Sequence, residues 1–156
     1  MADRLRGEIK QRRPFASVPE EAMLNILRTA DTVQRLVAEV LKPLGLTLTQ
    51  YNALRILRGA GDEGRACSEI GERLVTRDPD VTRLLDRLDA RGLIARDRSA
   101  EDRRVVRSRI TEQGLGLLDE AEGPVRALQQ RLFEPFGKEQ VSALIEALEA
   151  VRSGSR

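Results

Sequence analysis

Arginine is the side chain that carries most of this sequence's chemistry. Arg83, Arg87 and Arg91 recur every four residues, and Arg96, Arg98, Arg103 and Arg104 follow close behind. A guanidinium presents a planar fork of donors that fits two phosphate oxygens or the O6 and N7 acceptors of guanine. Between Arg73 and Arg109, eleven arginines stand against seven carboxylates, a local balance of +4 in a chain of net charge +2. The remainder is slightly acidic. Basicity is therefore gathered in one segment, as a phosphate-facing surface requires. Arg makes up 24 of the 27 basic residues, a bias that a GC-rich genome also produces.

Groups for other chemistry are scarce. The chain has no His and a single Cys, Cys67. The usual general base at neutral pH is missing, and a Cys/His metal centre has no ligands. No Gly-rich phosphate loop and no nucleophile with a partnered base is present. The expectation is a non-enzyme without metal or cofactor. Cys67 falls at a helix start and reads as an inert thiol rather than a redox sensor. One Cys cannot form an internal disulfide, which suits a reducing compartment. The N-terminal stretch MADRLRGEIKQRRP lacks an apolar core, and no apolar run nears the ~20 residues that span a bilayer. The expected location is the cytoplasm, with no membrane partner.

The elements that must position the arginines can be read from spacing. Residues 1 to 18 are polar and basic, with Pro14, and read as a flexible arm. Residues 19 to 42 carry Met23, Ile26, Leu27, Ala30, Val33 and Val37 at helical spacing. Thr47 and Gln50 form a capping-box pattern that starts a second helix, which stops at Gly59-Ala60-Gly61. Cys67 to Leu74 predict a short third helix. Val75-Thr76-Arg77 makes a turn. Asp78-Pro79 then predicts a helix starting at about Pro79, with Asp78 as its cap, and ending at Gly92.

That helix turns Leu84, Leu85 and Leu88 inward and Arg83, Arg87 and Arg91 outward. Asp80 sits at its head, where it can cap the helix or accept from a cytosine amino group. Leu93 to Arg96 and Val105 to Ile110 predict two strands joined by a charged loop, a hairpin directly after the helix. Thr111 caps a long helix to about Phe133 that Gly123-Pro124 should kink or split. A last helix covers about 138 to 152.

Helix, turn, helix, hairpin is the winged helix-turn-helix order, and its second helix enters the DNA major groove. The fold class is mostly α, with about six helices and a two-stranded β-wing. The division expected is a winged helix-turn-helix over 47–111, its centre at 66 to 111, and a helical dimerisation region over 19–46 and 112–152. Leu128, Leu132, Phe133, Phe136, Val141, Leu144 and Leu148 are its dimer-core candidates; completing the protomer's own core is the other reading.

The sequence resembles the MarR family of bacterial transcription regulators. The resemblance rests on Asp102-x-Arg104 followed by Thr111, in EDRRVVRSRITEQG, with VTRLLDRLDARGLIAR (81–96) and LTLTQYNALRIL (46–57) in the same order. It implies a homodimer on palindromic DNA operators and frequent release by a small phenolic or lipophilic effector or by oxidation; the expected function is a repressor. The Asp102-x-Arg104 pair reads physically as a wing brace, Asp102 pairing with an Arg so that a second Arg projects, and a solvated salt-bridge loop is the alternative; by resemblance Arg103 or Arg104 contacts DNA from the wing tip. Thr76, Arg77, Thr82, Arg83 and Arg87 complete the DNA-binding set; for Arg83 and Arg87 a solvated helix face is the alternative. Met23, Leu27 and Leu54 are candidates for lining an effector cleft, and core packing explains them equally well. A winged-helix protein-interaction or ligand-sensing module with weak DNA binding is the competing function, and the paired basicity of helix and wing argues against it.

Overall fold

The computed structural model describes residues 4–98, 102 and 104–154. Among these residues the helices are α1 (Arg4–Glu8), α2 (Val18–Leu41), α3 (Leu48–Ala60), α4 (Cys67–Arg73), α5 (Val81–Ala90), α6 (Glu112–Phe133) and α7 (Lys138–Ser153). The strands are β1 (Arg65–Ala66), β2 (Ile94–Arg98) and β3 (Val106–Ile110). They form one antiparallel sheet in the order β1-β3-β2. No described helix is long and apolar enough to cross a membrane.

Helix starts follow local capping chemistry. Ser17 accepts the Glu20 N–H at 3.2 Å to open α2, with Pro19 in the first turn. In α3 the box closes in both directions: Thr47 Oγ1 accepts from Gln50 N at 3.2 Å, and Gln50 Oε1 accepts from Thr47 N at 3.0 Å. Thr111 opens α6 by accepting the Gly114 N–H at 3.1 Å. Its hydroxyl also donates to Gly92 O at 2.6 Å, which ties the wing's exit to the end of α5.

The structure departs from the sequence reading at four elements. The expected arm contains α1, whose Leu5 is buried. The sheet has a third strand, β1, too short at two residues to show any periodicity. α6 runs unbroken through Pro124. α5 begins at Val81 rather than Pro79, because Asp78 holds Pro79 in a turn ahead of the helix.

One core joins these elements. Leu41, Leu54, Leu57, Ile70, Leu88, Leu93, Ile94 and Leu118 are almost wholly buried, drawn from α2, α3, α4, α5, the base of the hairpin and α6. Burying a Leu or Ile of this kind contributes roughly 1.5–3 kcal/mol. The N-terminal half of α6 thus belongs to the same packed body as the winged helix. At its start Gly114 lies so close to the hairpin that a Cβ there would sit 2.2 Å from Leu93 O and 2.8 Å from Ile110 Cγ1.

Candidate nucleic-acid interface

The two helices of the pair are held at their crossing by small contacts. Gly71 of α4 faces Val81 of α5, and Cys67 Sγ lies 3.7 Å from Thr82 Oγ1. Glu69 closes the start of α4 by accepting the Ala66 N–H at 2.8 Å. That bond, and then the charges of Arg107, Arg65 and Arg73, hold its carboxyl below the usual range.

Asp78 and Asp80 divide the work at the head of α5. Asp78 Oδ1 accepts the Asp80 N–H at 2.8 Å, an Asx turn with Pro79 at its second position. Asp80 Oδ1 then accepts the Arg83 N–H at 2.9 Å and is the N-cap. The expected assignment of Asp78 as cap is corrected: its side chain stabilises the turn that delays the helix by two residues. Both carboxylates also lie where the positive end of the helix dipole favours them.

From this start α5 buries Leu84, Leu85 and Leu88 and exposes Thr82, Arg83, Asp86 and Arg87. The guanidinium groups of Arg83 and Arg87 form no hydrogen bond or ion pair with a described residue, and neither do those of Arg77 in the preceding turn and Arg104 in the wing. Arg77 and Arg104 are exposed as well, and Thr76 is half-buried. Arg103 lies outside the described residues.

Arg98 at the end of β2 is likewise exposed, with no guanidinium partner among the described residues, whereas Arg73, Arg91, Arg96, Arg107 and Arg109 are committed to the protein. Arg91, read from sequence as an outward residue, donates to Gly45 O at 2.7 Å and Leu44 O at 3.3 Å, joining the end of α5 to the α2–α3 turn. Arg96, in the first strand of the hairpin, pairs with Asp86 at 2.7 Å. Arg73 donates to Glu69 O at 2.8 Å. Arg107 reaches Gly64 O at 3.4 Å and Glu69 at 3.6 Å, and Arg109 pairs with Asp97. Sequence reasoning missed these roles because each partner is remote in the chain or is a backbone carbonyl.

Asp102 braces the wing by a different bond from the one expected. Its Oδ1 accepts the backbone N–H of Arg104 at 2.9 Å, and its carbonyl accepts from Val105 N at 3.0 Å. An aspartate fits because a side-chain acceptor two residues upstream closes a tight turn. The Arg104 guanidinium, with no bond to a described residue, remains outside this brace.

The far end of the molecule has a different surface. α7 buries none of its residues. Phe133, Phe136 and Leu144 are exposed, and Leu132, Val141 and Leu148 half-buried. The Phe133 and Phe136 rings lie 6.4 Å apart beside a cleft of about 700 Å³ that Val141 also lines. Leu128 differs from this group: at 3% exposure it is already buried within the protomer. The proposed cleft residues are not brought to one surface, since Met23 and Leu27 are exposed whereas Leu54 is fully buried. α6 is bound to α3 by Arg58, which pairs with Glu122 at 2.5 Å and Asp119 at 3.8 Å. Arg58 thereby holds the Glu122 carboxyl below its usual range.

Comparison with known proteins agrees with this architecture. Residues 44–105 match the model of the MarR family. The HTH-type transcriptional regulator MhqR of Bacillus subtilis (strain 168) is 30% identical over 107 residues, covering 69% of this chain and 72% of that one. A MarR transcription factor from Planctomyces limnophilus is 40% identical, covers 88% of this chain and 99% of its own, and superposes with a TM-score of 0.67. The transcriptional repressor CouR, solved bound to a 23-mer DNA duplex, is 27% identical over 91% of this chain and 99% of its own, with a TM-score of 0.79. CouR from Rhodococcus jostii RHA1 has also been solved bound to p-coumaroyl-CoA, with a TM-score of 0.74 at 27% identity over 88% of this chain and 95% of that one. The chain belongs to the MarR family of DNA-binding transcription regulators.

Proposed function

We propose that the protein is a cytoplasmic repressor that grips a palindromic operator as a homodimer and is released by a small aromatic or lipophilic ligand. The observation that carries this reading is the pairing of two open basic elements on one packed core. Arg83 and Arg87 project from α5, and Arg104 projects from the wing. α5 enters the major groove; Arg83 and Arg87 read base edges or phosphates, with Thr82 beside them. Thr76 and Arg77 donate to phosphates ahead of the helix. Arg103 and Arg104 reach the neighbouring minor groove or its phosphates.

The unburied apolar faces of α7 and the end of α6 support the dimer, with Phe133, Phe136, Val141, Leu144, Leu132 and Leu148 as its centre. A two-fold dimer sets two reading helices about 34 Å apart, one turn of DNA. The likeness to CouR, solved both on DNA and with p-coumaroyl-CoA, supports an effector of aromatic acyl type.

The test compares one duplex carrying a full palindrome, selected by the protein from random sequence, with a duplex carrying half of it. A dimeric repressor binds the full site far more tightly and as two chains per duplex, and an aromatic acyl thioester or acid weakens that binding. Equal affinity for both duplexes at one chain each would overturn the dimer. Affinity that no ligand of this class alters would overturn the effector.

A further inference from the structure

Ile94, Arg96 and Arg98 share one face of β2, because side chains alternate along a strand. Ile94 is buried in the core, while the tip beyond it is exposed. Arg96 is where this face leaves the core. Its Nη1 donates to Asp86 Oδ1 at 2.7 Å, and its Nη2 lies 3.5 Å from Thr82 O, so one guanidinium spans a full turn of α5. Its Nε is buried and is the one such side-chain atom without a hydrogen-bond partner among the described residues. Across the ladder Arg96 stands opposite Ser108, itself buried. This guanidinium is given to α5, unlike the unpartnered ones of Arg83 and Arg87.

We propose that Arg96 is a positioning residue that fixes the wing against the reading helix through Asp86, so that both meet DNA as one unit. The inference rests on the DNA-contact reading of α5 and the wing. It also accounts for a carboxylate on the exposed face of α5. Asp86 neutralises Arg96 and trades some attraction for phosphate for a defined wing angle. Preorganisation of this kind strengthens binding by reducing what must be ordered on contact.

Asp86 gives a test whose sign separates two accounts. If it were only a surface carboxylate near DNA, Asp86→Ala would strengthen binding by removing repulsion. As the anchor of Arg96, it must weaken it. The measurement is the affinity of the full-length protein for a duplex selected by the unaltered protein, at several salt concentrations. Asp86→Ala is expected to lose about fivefold in affinity, and Arg96→Ala a similar amount. The double variant is expected to bind no more weakly than the worse single one, and Arg96→Lys to recover part of the loss. The slope of log affinity against log salt should become shallower by about one as the wing's phosphate contact is lost.

Thermal unfolding of each variant separates a displaced wing from a lost fold. If Arg96→Ala does not fold, Asp86→Ala carries the test, since Ala suits a helix. Unchanged or tighter binding by Asp86→Ala, or losses that multiply in the double variant, overturns the proposal. Failure of the unaltered protein to bind any duplex fails the DNA-contact reading first, and the proposal with it.

Discussion

Asp80 accepts the backbone N–H of Arg83 at 2.9 Å, so a carboxylate at the head of the reading helix is spent on holding that helix in place. The residue beside which it lies, Arg83, is one of those proposed to touch DNA. Replacing Asp80 with Ala removes a cap and is expected to reduce folding stability by about 1 kcal/mol, within a range of roughly 0.5–2. Asp80→Ser keeps an acceptor at the same place and should recover most of that loss. Denaturant unfolding measures both. Capping alone also requires that Asp80→Ser leave base preference unchanged; a shifted preference in a selection from random duplexes would make Asp80 a base reader.

Gly114 has no room for a side chain. A Cβ would meet Leu93 O at 2.2 Å, and the object it meets is backbone. Gly114→Ala must therefore push the start of α6 away from the hairpin. Overpacking of this kind costs about 1–3 kcal/mol, and thermal unfolding should show a clearly lowered midpoint. Gly116, on the same helix with nothing near its Cβ position, provides the control, and Gly116→Ala should be neutral or stabilising.

The bond between Arg58 and Glu122 makes stability depend on pH in a definite direction. The pair lowers the Glu122 pKa from its ordinary value of 4.5. A carboxyl with a lowered folded-state pKa contributes stability above its unfolded pKa and loses that contribution as pH falls through the folded one. The unaltered protein should exceed Glu122→Gln in stability near neutrality, and the difference should close as the pH falls below the ordinary carboxylate range. A difference that stays constant down to pH 3 would show that the charge of Glu122 is not what holds α6 to α3.

Leu144 is 44% exposed on a helix that buries nothing within the protomer. A dimer through α7 predicts that Leu144→Glu shifts sedimentation toward a folded monomer at micromolar concentration, because a buried carboxylate at an interface lacks a partner. Unchanged sedimentation of Leu144→Glu would place the interface elsewhere.

What could be read from the sequence was local. Thr47 with Gln50, and Thr111 at the head of α6, announce helix starts within four residues, and both form the bonds their types suggest. The leucines of α5 mark its buried face by spacing alone. Asp78 and Asp80 show the limit of such reading. Both are good capping residues two apart, and only the Asx turn on Asp80 decides between them.

Tertiary partners were not legible. Arg91 and Arg96 look like Arg83 and Arg87 in sequence, yet their partners lie at Gly45 and Asp86, set by how the chain returns on itself. The brace at Asp102 kept its residue but changed its bond, since a backbone amide leaves no trace in composition. The apolar residues of α7 and those of the core have the same periodicity, and only the fold separates Leu128, buried, from Leu144, exposed.

Arg77, Arg83, Arg87 and Arg104 are proposed to form one phosphate- and base-contacting surface. This surface is tested most directly by the affinity for a selected palindromic duplex across a salt series. Six or more phosphate contacts by a dimer predict roughly a thousandfold weakening or more between ~50 and ~200 mM salt. Arg83→Ala should add a further loss of about 1–3 kcal/mol in binding. Binding that ignores salt, or no binding at the lowest salt, would mean that these arginines form no such surface.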